Sequence, residues 1–327
     1  MKSRNELLTS IAITIQDYRA GEIAQPTPAH VARWVNQFDS AVQDGLLLEL
    51  DHVLSHTYLN RERVTTFLKG LLSNVKLAGD DPCEFWKRVK FLNSQGGGNS
   101  QREMLALFND YLQESCGLKV SDCGKDADTF IYLDDAVFTG NRVLKDLKVW
   151  VEKTAPAKAI VHIITIAFHR GGERYANKSI LQAAASSKKE ITLKWWRIVE
   201  LEDQPWKINQ TDVLRPRTLS DDPLVAEYVK SFTHAITFRD QDGVGENKFF
   251  SCEQGRALLE QEMLKAGARI RRVCPNLGKY QRPLGNMVLE TLGFGSTIVT
   301  FRNCPNNTPL AFWAGDPWYP LFPRKTN

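Results

Sequence analysis

The sequence predicts an α/β fold, a mostly parallel sheet flanked by helices, with an all-helical region in front of it. Three observations carry that prediction. From residue 85 onward, strand candidates and helical stripes alternate, the order of a doubly wound sheet with right-handed crossovers. The run 159–168 is almost continuously apolar, which suits a strand covered on both faces. Before residue 80, apolar residues recur at three- and four-residue steps and strand-type alternation is missing.

Composition sets the outer limits. A chain of 327 residues is long enough for one elaborated domain or for two. With 43% hydrophobic and 24% charged residues it can bury a sizeable core, which argues against disorder. The net charge of +4 is too small to argue nucleic-acid binding from bulk charge. Six cysteines with no C-x-x-C pair lack zinc-ligand spacing, so no protein metal site is expected. They read as reduced, structural cysteines of a cytoplasmic protein. The first twenty residues lack the apolar block of a signal peptide, and no apolar run approaches bilayer length, so no membrane association is expected.

The elements follow in order. Leu7, Leu8, Ile11, Ile15 and Tyr18 share one helical face. Thr27-Pro28 reads as an N-cap and a proline at the first helical position. Val31, Trp34, Val35, Phe38 and Val42 form the next stripe, and Val64, Phe67, Leu68, Leu71 and Leu72 another; both read as core packing. The Asp80-Asp81-Pro82 turn closes this region, dividing the chain into a helical part, 1–79, and an α/β domain, 80–327. Residues 89–92 read as a strand and are followed by a glycine loop and a helix bearing Met104, Leu105, Phe108 and Leu112. Later strand candidates are 130–133, 159–168, 191–200, 235–238 and 295–301. Helices are expected at 143–151, 180–185, 224–232 and 252–266, the last closed by Gly267. The chain then runs through an Asn-rich turn, 303–309, into an aromatic tail.

Chemistry concentrates in residues 130–142. Four apolar or aromatic residues lead into Asp134 and Asp135, a short loop ends in Thr139-Gly140, and a helical apolar pattern begins at Val143. That order describes a buried strand, a turn and the first turn of a helix. Loop amides there converge on one spot, where the helix dipole also favours negative charge. A phosphate fits, and two carboxylates beside it suit the hydroxyls of an attached ribose. An Asp pair that merely caps the helix is the plainer alternative. Upstream, Gly96-Gly97-Gly98 would let the backbone approach a ligand closely. That loop matches neither the Walker pattern nor G-x-G-x-x-G, and a surface loop would look the same. His169 and Arg170 follow the 159–168 strand and so should emerge at the same sheet edge, as second-substrate contacts or as plain surface. Between 265 and 282 lie Lys265, Arg269, Arg271, Arg272, Lys279 and Arg282 with no acidic residue, which suits phosphates or a solvated basic face.

Residues 130–142 resemble the ribose-phosphate motif of type I phosphoribosyltransferases. The resemblance implies a type I phosphoribosyltransferase-like fold. It places Asp134 and Asp135 on the ribose hydroxyls of phosphoribosyl diphosphate, and Ala136, Val137, Phe138, Thr139, Gly140, Asn141 and Arg142 around its 5′-phosphate. Thr139 would add a hydroxyl donor and Gly140 the tight turn. Phe138 stands where that family usually has Thr or Ser, and Asn141-Arg142 where it has a small Gly-Thr pair; Arg142 can replace the lost donor with a charge-assisted contact. The resemblance also seats the diphosphate at Gln95, Gly96, Gly97, Gly98 and Ser100, with Arg102 just inside the helix and Mg²⁺ bridging diphosphate and ribose oxygens. On this reading Gly140→Val abolishes ligand binding and leaves the fold intact.

The block 291–313, the helical front and the segments 256–260 and 302–307 together resemble PRTase-CE, the phosphoribosyltransferase-like effector domains of bacterial conflict systems. That resemblance implies an antiphage effector, of the kind encoded beside retron or nucleotide-signalling modules. It would be a Mg-dependent transferase acting at ribose C1 of a nucleotide or nucleic acid, with nucleic acid or a defence-system protein as partner. A non-catalytic sensor of phosphoribosyl diphosphate or a nucleotide, or a scaffold subunit, stays open, because a sensor needs the same ribose contacts.

Overall fold

The longest apolar run of the sequence forms an interior strand of the sheet, and its neighbours follow from their own patterns. The computed structural model describes residues 2–93, 100–125, 127–230 and 232–325. The chain divides into two units, Glu62–Glu200 and Met1–Arg61 with Leu201–Thr326.

Three helices open the chain. Helix α1 (Arg4–Thr14) begins at a capping box, in which Ser3 Oγ accepts from the Glu6 N–H and the Glu6 carboxylate accepts from the Ser3 N–H. Helix α2 (Pro28–Val35) starts at the expected Thr27-Pro28 signal, and α3 (Gln43–Thr57) runs into the short strand β1 (Tyr58–Leu59). Next come α4 (Arg61–Leu72), α5 (Val75–Ala78), α6 (Pro82–Arg88), β2 (Lys90–Leu92) and α7 (Ser100–Cys116). They are followed by β3 (Thr129–Val137), α8 (Asn141–Lys153), β4 (Lys158–His169), α9 (Arg170–Ser186), β5 (Glu190–Trp196) and β6 (Val199–Leu201).

Strands β2, β3, β4 and β5 lie side by side in that order, all parallel, and β6 pairs with β4 off this path. On one face Phe130, Tyr132, Val161 and Ile163 pack with Val143 and Leu147 of α8 and Ile180 of α9. Side chains alternate along a strand, so Phe91 points the other way from its core neighbour Leu92. Its ring lies 5.5 Å from Phe108 of α7 and 6.1 Å from Trp86 of α6. Helices therefore cover both faces, as the apolar run at 159–168 requires. On the second face His162 is buried, and its Nδ1 accepts from Trp196 Nε1 at 2.9 Å. Burial, with Lys194 nearby, pulls the imidazole down to about 4.

The remaining elements are α10 (Pro223–Val229), α11 (Glu253–Val273), β7 (Val299–Thr300) and α12 (Leu310–Trp313). They pack with the helical front: β7 pairs with β1, Trp34 Nε1 donates to Ala311 O at 2.7 Å, and the Tyr18 and Phe322 rings meet at 5.1 Å. The unit boundary therefore differs from the one expected at residue 79. Apolar stripes show that a helix is buried without showing against what, and the front helices are buried by the C-terminal aromatic tail. At this unit's centre Glu260 accepts from Arg239 and Arg256, all three fully buried, and Glu253 accepts from both terminal nitrogens of Arg239.

Four local expectations need correction. Gly267 does not close its helix; α11 runs on to Val273. A Cβ at Gly267 would lie 2.5 Å from Pro283 Cα, so this glycine serves a close backbone approach. Residues 235–238 form no strand, and the strand expected at 295–301 shrinks to β7. The cysteines are not all reduced: Cys83 of α6 and Cys116 of α7 form a disulfide, while Cys123, Cys252, Cys274 and Cys304 are free. The two are 33 residues apart and meet because their helices do, which no spacing motif could show. Cys304 is fully enclosed, and burial pushes its thiol up to about 12, so it is no nucleophile.

Candidate phosphoribosyl site

Strand β3 carries the paired acids to the carboxyl edge of the sheet, where open α/β sheets bind ligands. Asp134 pairs in register with Thr165, and Ala136 and Val137 with Ala167 and Phe168. The strand thus runs past both acids. Ala136 and Val137, expected in the phosphate loop, belong to the sheet, with Val137 in the core. The turn itself is only Phe138, Thr139 and Gly140 before α8 begins at Asn141.

The two acids differ in environment. Asp134 is 3% exposed, and its Oδ1 accepts from Ser100 Oγ at 2.7 Å and from the Asp135 N–H at 2.9 Å. Asp135 is partly exposed, and its Oδ1 accepts from the Ala136 N–H at 2.7 Å. Ser100, the first residue of α7, thus ties the start of that helix to the acid pair. Behind them, Tyr132 donates to Asp146 Oδ2 at 2.9 Å. Burial raises the Asp146 carboxyl above the ordinary aspartate range, against the lowering effect of the Tyr132 hydroxyl. Sequence reasoning missed Asp146. The available signal was an acid on the apolar face of α8, between Val143, Leu147 and Trp150.

The turn owes its shape to glycines. Gly140 has φ of 75°, in the left-handed region that other residues avoid. A Cβ there would lie 2.3 Å from Gly172 O, and one on Gly172 only 2.0 Å from Phe138 O. The turn is therefore packed backbone to backbone on the first residues of α9. Gly140→Val cannot leave the fold intact, contrary to the sequence expectation. Phe138 fills space, its ring meeting buried His169 edge-on at 5.1 Å. Arg170 is ion-paired with Glu200 at 2.6 Å. Neither His169 nor Arg170 stands as an open second-substrate contact.

Thr139, Asn141 and Arg142 are left on the surface at the N-terminal end of α8, where amide dipoles favour an anion. Arg142 also lines a groove of about 1130 Å³ beside edge strand β2. Lys90, Lys145 and Lys153 add positive charge to that groove, and Phe130 and Trp150 add rings. Arg102 is exposed on α7. Gln95, Gly96, Gly97 and Gly98 lie outside the described residues. Among the described residues, no group of three or more His, Cys, Asp or Glu side chains could hold a metal, and no helix is long and apolar enough to cross a membrane.

The other motifs of the sequence have structural partners. Asn307 Oδ1 accepts from the Ser296 N–H at 3.2 Å, and Asn303 Oδ1 from the N–H groups of Cys304 and Lys325. A Cβ on Gly295 would lie 1.7 Å from Asn307 O. The Asn-rich run is a braced turn.

A parallel α/β sheet whose second strand delivers two adjacent carboxylates to a glycine turn and a helix N-terminus defines a phosphoribosyltransferase-like domain. The chain belongs to the PRTase-CE family, whose model matches residues 31–324. No curated protein sequence and no solved structure matches it.

Proposed function

We propose that the chain binds phosphoribosyl diphosphate or a nucleotide at the Asp134–Asp135 edge and acts at ribose C1 of a nucleotide or nucleic-acid substrate, as an effector in antiphage defence. The observation that carries this reading is the convergence of Asp134, Asp135, Ser100 and the α8 N-terminus at the carboxyl edge of one sheet. Asp134, buried and held by Ser100, fixes the geometry. Asp135, more open, accepts from the ribose hydroxyls. The surface at Thr139, Asn141 and Arg142 takes the 5′-phosphate, with Arg142 supplying the charge-assisted donor that Phe138 cannot. The basic groove beyond Arg142 is suited to a second polyanionic substrate. Two hard carboxylates fit Mg²⁺ that keeps most of its ligands from diphosphate, ribose and water. Bound in that way, Mg²⁺ would neutralise the charge of the leaving diphosphate. The protein's part is orientation and electrostatic stabilisation. The defence role rests on family membership.

A sensor reading is favoured by one observation, the enclosure of Asp134, which braces Asp135 through its N–H for ribose contacts and is itself too enclosed to act as a base. Diphosphate release separates the two. Purified protein with phosphoribosyl diphosphate, Mg²⁺ and a panel of nucleotides and RNA should release diphosphate, and Asp134→Asn/Asp135→Asn should abolish release. Saturable binding with no product across the panel would decide for the sensor.

A further inference from the structure

We infer that the unit formed by Met1–Arg61 with Leu201–Thr326 carries a second ligand site, a cleft beside α10 and α11 that takes a nucleoside phosphate. Its volume is about 610 Å³, in the range of small-molecule sites, roughly 300–1,000 Å³. Arg271, Arg272, Lys279 and Arg282 line it, against the carboxylates of Glu227 and Glu290. Tyr228, Phe232 and Tyr280 supply aromatic surface. This cleft absorbs the C-terminal half of the basic run 265–282, which the sheet-edge site does not use.

A solvated basic face accounts for Arg272 and Lys279, which are exposed, but not for Arg271 and Arg282. Arg282 is 8% exposed, and its guanidinium reaches neutral acceptors, Met287 O at 3.3 Å, Val288 O at 3.4 Å and the Tyr228 hydroxyl, but among the described residues no carboxylate within ion-pair distance. Arg271 donates to Gly278 O at 2.9 Å, while its Nε is buried and makes no hydrogen bond. Of the four cations, only Arg272 is ion-paired among the described residues, with Glu227 at 3.3 Å on the exposed rim. Arg271 and Arg272 end α11, where the helix dipole favours cations. That explanation does not reach Lys279 or Arg282. A guanidinium held away from water without a counter-charge is costly, and a phosphate supplies both the charge and paired acceptors.

The rings decide the rest of the ligand. Tyr280 is 41% exposed, and Tyr228 and Phe232 pack edge to face at 5.1 Å beside it. Exposed aromatic surface next to arginines is the pairing that stacks a base while the phosphate is held. Glu290, at the rim, can accept from a ribose hydroxyl or a base amino group.

The test is calorimetric titration of the full chain carrying Asp134→Asn/Asp135→Asn, which weakens the binding proposed at the sheet edge, with AMP, adenosine and inorganic phosphate as probes. AMP should bind at least about tenfold more tightly than either fragment. Arg272→Glu/Lys279→Glu, at two exposed positions, should weaken AMP by at least about tenfold and leave the circular dichroism spectrum unchanged. A 5′-phosphorylated oligonucleotide that displaces AMP would identify a nucleic-acid end as the source of the phosphate, and failure to compete would identify a free nucleotide; both support the site. AMP binding no tighter than phosphate, or unchanged by the charge reversal, would overturn it. Neither result depends on the sheet-edge reading.

Discussion

Arg239, Arg256, Glu253 and Glu260 in one unit, and Asp134 with Asp135 in the other, are both clusters of charge inside a fold, built to different ends. Glu260 accepts from Arg239 Nη2, Arg256 Nε and the Arg215 N–H at 2.8–2.9 Å, and Arg256 also donates to the Thr211 and Val213 carbonyls. Nothing there is left for a ligand, and the cluster's work is to lock the loops at 211–215 and 239–243 onto α11. The acid pair is graded instead. Asp134 is enclosed and held, whereas Asp135 opens toward the end of β3. A closed charge cluster contributes to architecture; a half-closed one at a sheet edge can exchange water for substrate.

The comparison is tested most strongly by Glu260→Gln. Removing one partner of a buried pair leaves Arg256 without its counter-charge and Arg239 with Glu253 alone, so urea unfolding should show a loss of about 3–5 kcal/mol. A loss near zero would mean the cluster is solvated and not closed. Gly140→Val should cost about 3 kcal/mol, because φ of 75° and the Gly172 carbonyl both exclude a side chain. A variant of wild-type stability that only lost ligand would return Gly140 to a purely binding role.

His162 supplies a smaller effect with a defined sign. Its folded value, about 4, lies below the ordinary 6.5. The unfolded chain therefore binds the extra proton first as pH falls. The stability His162 contributes is present above pH 6.5 and is lost on acidification toward its folded value, by about 3 kcal/mol. In His162→Gln, which keeps an acceptor for Trp196, the difference from wild type should shrink across that interval. Parallel pH profiles of the two proteins would contradict the assignment.

Strands β2 to β5 and the acid pair were legible because each is local. A continuous apolar run needs two covered faces wherever it sits, and residues 130–142 carry their chemistry within thirteen positions. The turn was legible in place but not in shape. Gly140 read as a ligand-binding glycine because its partner, Gly172, is more than thirty residues away on another helix. The Arg239–Glu260 cluster was hidden for the same reason, since it joins segments near 215, 239 and 256 whose sequences carry no mutual signal. So was the Cys83–Cys116 pair. Basic residues 265–282 were visible as charge, but the burial of Arg282 and the rings beside it come only from folding.

The central claim is that the acid pair at the end of β3 holds a phosphoribosyl group. Calorimetric titration of phosphoribosyl diphosphate with Mg²⁺ into wild-type protein and into Asp134→Asn/Asp135→Asn tests it most directly. Saturable binding to the wild type is expected, weakened at least about tenfold in a variant that unfolds at the same temperature. Equal affinity in both proteins, or no binding to either, would contradict it.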